Sequence, residues 1–194
     1  MPCLDSTLAA IDAANADDPN VIVVRGEARP KELAHASLAS EWVDRLAPEA
    51  SDALRIAARA HHIRRWELPR SDYPEGKAGY HRWRRDLQQR HADCVAGILA
   101  EHGWDDPTRD RVQAIVRKQG LGRDPEVQVF EDALCLVFLE TQFGELRGRL
   151  ADDAKLADVT RKTAAKMSPE ALARVSELPL SPDDLVLIQR ALQS

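Results

Sequence analysis

Cysteine is scarce in this sequence: Cys3, Cys94 and Cys135 are an odd number with no paired spacing. That argues against a disulfide framework and fits reduced thiols in a cytoplasm. Long apolar runs are also missing. The longest, Val21 to Val24 and Ala133 to Leu139, fall far short of a membrane span. The opening residues Met1-Pro2-Cys3-Leu4-Asp5 lack the basic start and apolar stretch of a signal peptide. A cytoplasmic location without membrane contact is the expectation. Gly76 and Gly79 form neither a dinucleotide fingerprint nor a phosphate loop. Internal repeats and low-complexity linkers are absent. Cys135 lies in an apolar stretch where a thiol is inert, so nucleophilic catalysis has little support.

What is present is an ordinary globular composition, 44% hydrophobic and 30% charged over 194 residues, which suits one domain spanning the chain. Its charge is uneven. From Arg59 to Arg90 nine basic residues face four acids, a local charge of +5, which leaves −10 on the rest of a chain whose net charge is −5. Such a basic island points either to an anionic ligand or to ion pairing with acidic helices around it.

Helix signals dominate, and they predict an all-α, compact, single-domain bundle. An alanine-rich helix covers Leu4 to Ala16 and stops at Asp17, Asp18 and Pro19. Val21 to Val24 reads as a short strand or extended segment with no obvious partner. Further helices are expected from Pro30 to about Leu46, from Ser51 to about Trp66, from Gly79 to His102, from Pro107 to near Gly120, from Glu126 to Gly144 and from Leu150 to Met167. Ser168-Pro169 and Ser181-Pro182 each place a capping serine before a proline at the first helical position. Glu67 to Ala78, with Pro69, Pro74 and Gly76, reads as an ordered loop.

The helix from Glu126 is apolar nearly all round, yet it carries Glu131 and Asp132. A buried carboxylate needs a cation, a metal or a donor network. Asp132, with Val129, Cys135 and Leu136 among its neighbours one turn away, is the stronger case for burial; Glu131 could share a thin polar stripe with Gln128. Histidines are the second clue. His35, the adjacent pair His61 and His62, and His91 lie on separate predicted helices and could line one cavity. With Asp132 they form a candidate ligand set for a divalent ion, manganese, iron or zinc. Glu131 is the candidate for proton transfer or ligand orientation.

The order His35, then His61-His62, then a distant Asp132 resembles HD-domain metal-dependent phosphohydrolases, which carry a histidine, a His-Asp pair and a late aspartate on helices of one bundle. Here His62 stands where that pattern has aspartate, so a neutral imidazole replaces an anionic ligand. The resemblance implies an HD-like core, a bound metal and phosphoester hydrolysis, with His91 as a further ligand. A more extensive resemblance, over nearly the whole chain, is to the domain of unknown function 4202 family. It rests on the run from His61 to Arg70, Tyr73-Pro74, Gly79-Tyr80, Trp83-Arg84, the run from Glu131 to Glu140, Lys162-Thr163 and Lys166-Met167-Ser168. It implies no particular reaction.

Arginine suits bidentate phosphate contact and aromatic rings suit stacking. Arg64, Arg65, Arg70, Tyr73, Lys77, Tyr80 and Arg84 follow the histidine pair, and Lys162 and Lys166 lie one turn apart further on. Together they are candidate binders of an anionic, phosphorylated small molecule. The loop from Glu67 to Ala78 is expected to border the histidine cavity, with Arg70 and Lys77 facing the ligand. The leading functional expectation is therefore an HD-like metal-dependent hydrolase of a phosphorylated small molecule or nucleotide. The alternatives are an HD-like iron-dependent oxygenase and a non-enzymatic module that binds RNA or a protein through its basic loop.

Overall fold

The computed structural model describes residues 2–149 and 153–193. Its elements are α1 (Leu4–Ala16), a hairpin of β1 (Val21–Val24) and β2 (Glu27–Pro30), α2 (Lys31–Leu46), α3 (Asp52–Ala60), α4 (Gly76–Glu101), α5 (Asp106–Val116), α6 (Pro125–Arg149), α7 (Asp153–Ala164), α8 (Pro169–Ala173) and α9 (Pro182–Gln193). The chain is all-α apart from one small hairpin. Residues 150–152, part of the helix expected from Leu150, lie outside the described residues.

Local chemistry explains most boundaries. Ser51, Asp105, Ser168 and Ser181 each accept a backbone N–H from the first turn of the helix that follows, at Leu54, Thr108, Ala171 and Asp184. α2 is capped from a distance. Its preceding residue is Pro30, which supplies no side-chain acceptor. Asp18 takes over: its Oδ2 accepts the Glu32 N–H at 2.9 Å while its Oδ1 accepts the Asn20 N–H at 2.9 Å. A residue just beyond the end of α1 thereby fixes the first turn of α2.

Two expectations need correction here. β1 does have a partner, the antiparallel β2. The turn between them uses left-handed Arg25 (φ 50°) and Gly26 (φ 87°), the geometry that matches a tight hairpin. The other correction is the end of α3, which stops at Ala60 rather than near Trp66. Arg64 is left-handed (φ 49°), and its N–H is received by buried Asn15 Oδ1 at 3.1 Å. Arg59 grips Asp12 through two 2.6 Å hydrogen bonds, so α1 sets where α3 ends.

α6 runs through the core. Val127, Phe130, Ala133, Leu136, Leu139 and Phe143 are buried along it. α2 packs against α6 and α3, α5 against α3 and α4, and α7 against α9. Leu38 and Trp42 of α2 and Leu54 and Ile56 of α3 are buried in the same core, each large apolar side chain stabilising by about 1.5–3 kcal/mol on burial. Among the described residues no helix is long and apolar enough to cross a membrane.

Candidate active site

Where α2, the exit of α3 and α4 meet, four histidines and a glutamate converge. Glu32, on the first turn of α2, is buried, and its Oε2 lies 3.1 Å from Nδ1 of His35 and 3.1 Å from Nδ1 of His62. Glu32, His35 and His62 bring three ligand-type atoms within 4.8 Å of one another. Two ligand atoms on a common metal, each about 2.1 Å from it, stand roughly 3.0–3.4 Å apart, so the Glu32 contacts are already at ligand spacing. His62 is the hub of the group: its ring centroid is 4.2 Å from that of His61, 5.8 Å from His91 and 6.3 Å from His35.

The hydrogen bonds around these rings set their tautomers. His61 Nδ1–H donates to the Ala58 carbonyl at 2.8 Å, and His91 Nδ1–H donates to the Ile63 carbonyl at 2.9 Å. Each therefore turns a bare Nε2 inward, as carbonyl-oriented histidines do beside metals. Burial, joined by nearby positive groups, depresses both imidazoles, His61 to about 3 and His91 to about 4. They are neutral at neutral pH. His35 differs. The Thr141 hydroxyl donates its single proton to the Val137 carbonyl at 2.7 Å, so it accepts from His35 Nε2–H at 3.2 Å. The His35 Nδ1 edge then faces Glu32 Oε2, an arrangement that a cation held between the two would satisfy. Glu32 stays ionised. Burial opposes this, but His62 and His35 against its oxygen hold it well below the usual carboxylate range.

The cluster opens onto a cavity of about 400 Å³, within the range of small-molecule sites. Its walls carry Lys31, Arg65, Arg84, Lys118, Lys162 and Lys166 against two carboxylates, Glu32 and Glu131. Leu134, Val137, Phe138 and Val159 supply an apolar side, and Tyr80 stands at the rim. Glu131 is buried on α6 and divides its oxygens between two ammonium groups. Oε2 pairs with Lys118, while Oε1 lies 3.8 Å from Lys166 Nζ and 3.9 Å from Cys135 Sγ. Lys118 is held in the left-handed region (φ 56°) at the end of α5, a conformation that costs a lysine on the order of 1 kcal/mol or more. Burial pushes the Cys135 thiol up to about 12, which agrees with an inert cysteine.

Of the expected ligands, His35, His61, His62 and His91 come together. Asp132 does not join them. It is buried, as expected, but its Oδ1 accepts Gln128 Nε2–H at 3.0 Å and the Ser168 N–H at 2.8 Å, and it does not line the cavity. Its burial is answered by a donor network that pins the turn into α8. The cluster's carboxylate comes instead from Glu32. The available signal was its spacing, Glu32-x-x-His35, which puts both side chains on one side of α2.

The cationic candidates divide in the same way. Arg65, Tyr80, Arg84, Lys162 and Lys166 line the cavity. Arg64, Arg70, Tyr73 and Lys77 do not. Arg64 is exposed and lies 3.9 Å from Glu67. Arg70 turns back on its own loop, donating to the Tyr73 and Pro74 carbonyls at 2.8 Å each. The Tyr73 hydroxyl donates to Asp86 at 2.9 Å, and Lys77 is exposed at the start of α4. The loop is closed onto α4 through Gly79, where a Cβ would lie 1.9 Å from the Pro74 carbonyl oxygen. Its arginine satisfies backbone carbonyls instead of reaching a ligand.

A family model described as a domain of unknown function (DUF4202) matches residues 5–188 of the chain. No curated protein and no solved structure matches it.

Proposed function

The chain belongs to the domain of unknown function 4202 family, and we propose that it is a metal-dependent hydrolase acting on a phosphorylated small molecule, nucleotides included. One observation carries the reading: a buried carboxylate ringed by imidazoles opens into a cavity where six lysines and arginines outnumber the one other carboxylate, Glu131. Glu32, His35 and His62 would hold a divalent ion, with bare His61 Nε2 beside them. Such an ion polarises a phosphoryl oxygen and lowers the pKa of water. The chain's own residues do the rest. Arg65 and Arg84 bind phosphoryl oxygens, Lys118 and Lys166 add positive charge, and Glu131 holds those two lysines in place. With both its oxygens engaged by ammonium groups, Glu131 orients charge and does not transfer a proton.

The test is hydrolysis of a panel of phosphomonoesters and phosphodiesters by protein purified without a metal-affinity tag, supplied in turn with manganese, iron and zinc. Elemental analysis of the same sample should find metal near one ion per chain. Glu32→Gln and His35→Ala should each lower both metal content and turnover by at least tenfold. Turnover that survives chelation and both substitutions would sink the proposal. The surplus of imidazole over carboxylate in the cluster favours one competing reading, an iron-dependent oxygenase. Consumption of dioxygen with a phosphorylated or other anionic substrate, without release of phosphate, would point there.

A further inference from the structure

Between the histidines and α4 the cavity floor sinks into a recess of about 20 Å³, room for a single oxygen-sized group. Three cations border it: Arg65, Arg84 and Lys118. They are not equally engaged. The Arg65 guanidinium stacks 4.9 Å from the Trp83 ring centre, its Nε is 3.8 Å from Glu32 Oε1, and its Nη1 is 3.5 Å from His62 Nε2. Lys118 is paired with Glu131. Arg84, half-buried on α4, faces both recess and cavity and has no hydrogen bond or ion pair among the described residues. Burial and the proximity of Arg84 both lower the pKa of Arg65, the mark of two like charges facing one space.

The fourth component is neutral. His91 is buried at the recess with its Nδ1–H committed to the Ile63 carbonyl, and its Nε2 has no partner. That nitrogen can only accept a hydrogen bond. A ligand that satisfies this floor must therefore offer several anionic oxygens and one O–H.

Building on the phosphorylated-substrate reading above, we infer that the mouth of the recess recognises the terminal phosphate of a phosphomonoester, one oxygen of which enters it. Arg65, Arg84 and Lys118 receive its anionic oxygens, and a protonated oxygen donates to His91 Nε2. A monoester has three non-ester oxygens, one of them protonated below a second pKa of about 6. A diester has two and no proton to give. The floor thus selects terminal over internal phosphate, next to the ligand group of Glu32, His35 and His62.

Binding measured on chelator-treated protein separates this subsite from the metal. Calorimetry at pH 6 with methyl phosphate and dimethyl phosphate as probes should show the monoester binding at least tenfold tighter. Arg84→Ala removes no hydrogen bond or ion pair among the described residues, so it should fold normally and weaken methyl phosphate at least tenfold. Arg85→Ala, exposed on the same helix, should leave binding unchanged. Equal affinity for the two probes, or an Arg84→Ala variant that binds methyl phosphate like the parent, overturns the inference even if metal-dependent hydrolysis is found. Conversely, Arg84-dependent binding with no hydrolysis of any ester leaves the subsite standing and removes the hydrolase reading.

Discussion

Two buried glutamates, Glu32 on α2 and Glu131 on α6, line the same cavity, and their partners make them different devices. Glu32 is surrounded by imidazoles, whose protons can leave and whose lone pairs can turn to a metal. Glu131 is surrounded by ammonium groups, which donate hydrogen bonds and have no lone pair to offer. Glu32 keeps the oxygen that faces the imidazoles available for a divalent ion, with Arg65 3.8 Å from the other oxygen; Glu131, between two lysines, has its charge already answered. Burial, the property the sequence reading relied on, is shared by both and distinguishes neither.

The largest test of this contrast is removal of each carboxylate in turn. Glu32→Ala leaves mostly buried Arg65 without its acidic neighbour, and breaking a buried charged pair costs about 3–5 kcal/mol. Denaturant unfolding should register a loss of that order together with loss of bound metal. Glu131→Ala should cost a similar amount, because it leaves Lys118, as deeply set as Arg65, without its carboxylate. Metal content should stay at the parental level. A Glu131→Ala protein that loses metal while Glu32→Ala keeps it would reverse the assignment of the two walls.

Acid should act on the imidazole wall next. His61 and His91 sit below their ordinary value in the folded protein, at about 3 and about 4. Unfolding frees them to take up protons near pH 6.5, so the unfolded state binds more protons below that pH. Stability is fully present above pH 6.5 and declines on acidification towards pH 4, by up to about 1.4 kcal/mol per imidazole for each pH unit. Chemical denaturation at pH 7, 6 and 5 measures the slope. His91→Gln should flatten it by about the share of one imidazole; an unchanged slope would show that His91 is not held neutral by the fold.

Asp132 offers a smaller test. Asp132→Asn weakens its acceptance of the Ser168 and Gln128 donors, for an expected loss of about 1–3 kcal/mol. Metal content should be unchanged. Depletion of metal in that variant would return Asp132 to the ligand set. The least effect is expected from thiol labelling. Exposed Cys3 should react first and half-buried Cys94 more slowly, while Cys135 should wait for unfolding.

The fold was legible because helix ends are local chemistry. Ser51, Ser168 and Ser181 announce their caps, and Leu4 to Ala16 forms over its expected span. β2 was hidden because Glu27-Ala28-Arg29-Pro30 has no β-branched or large apolar residue; only Arg25-Gly26 marked a turn. At the site, the histidines were readable from their number and placement. Glu32 was not, since an acid in the first turn of a helix ordinarily faces water and the positive end of the dipole. The loop arginines misled for a related reason. A guanidinium is as well matched to carbonyl oxygens of its own loop as to phosphate, and only tertiary geometry decides which it meets.

The turn after α7 shows how such geometry can act as mechanics. Gln128 Nε2 holds the Lys166 carbonyl at 2.8 Å while Asp132 holds the neighbouring Ser168 N–H. α7 is thereby pivoted on α6 at its C-terminal end, with α9 along its side. At 1.5 Å of rise per residue, Lys162 stands about 6 Å from the pivot and Val159 about 10 Å. Any tilt of α7 thus displaces Val159 most and Lys166 least.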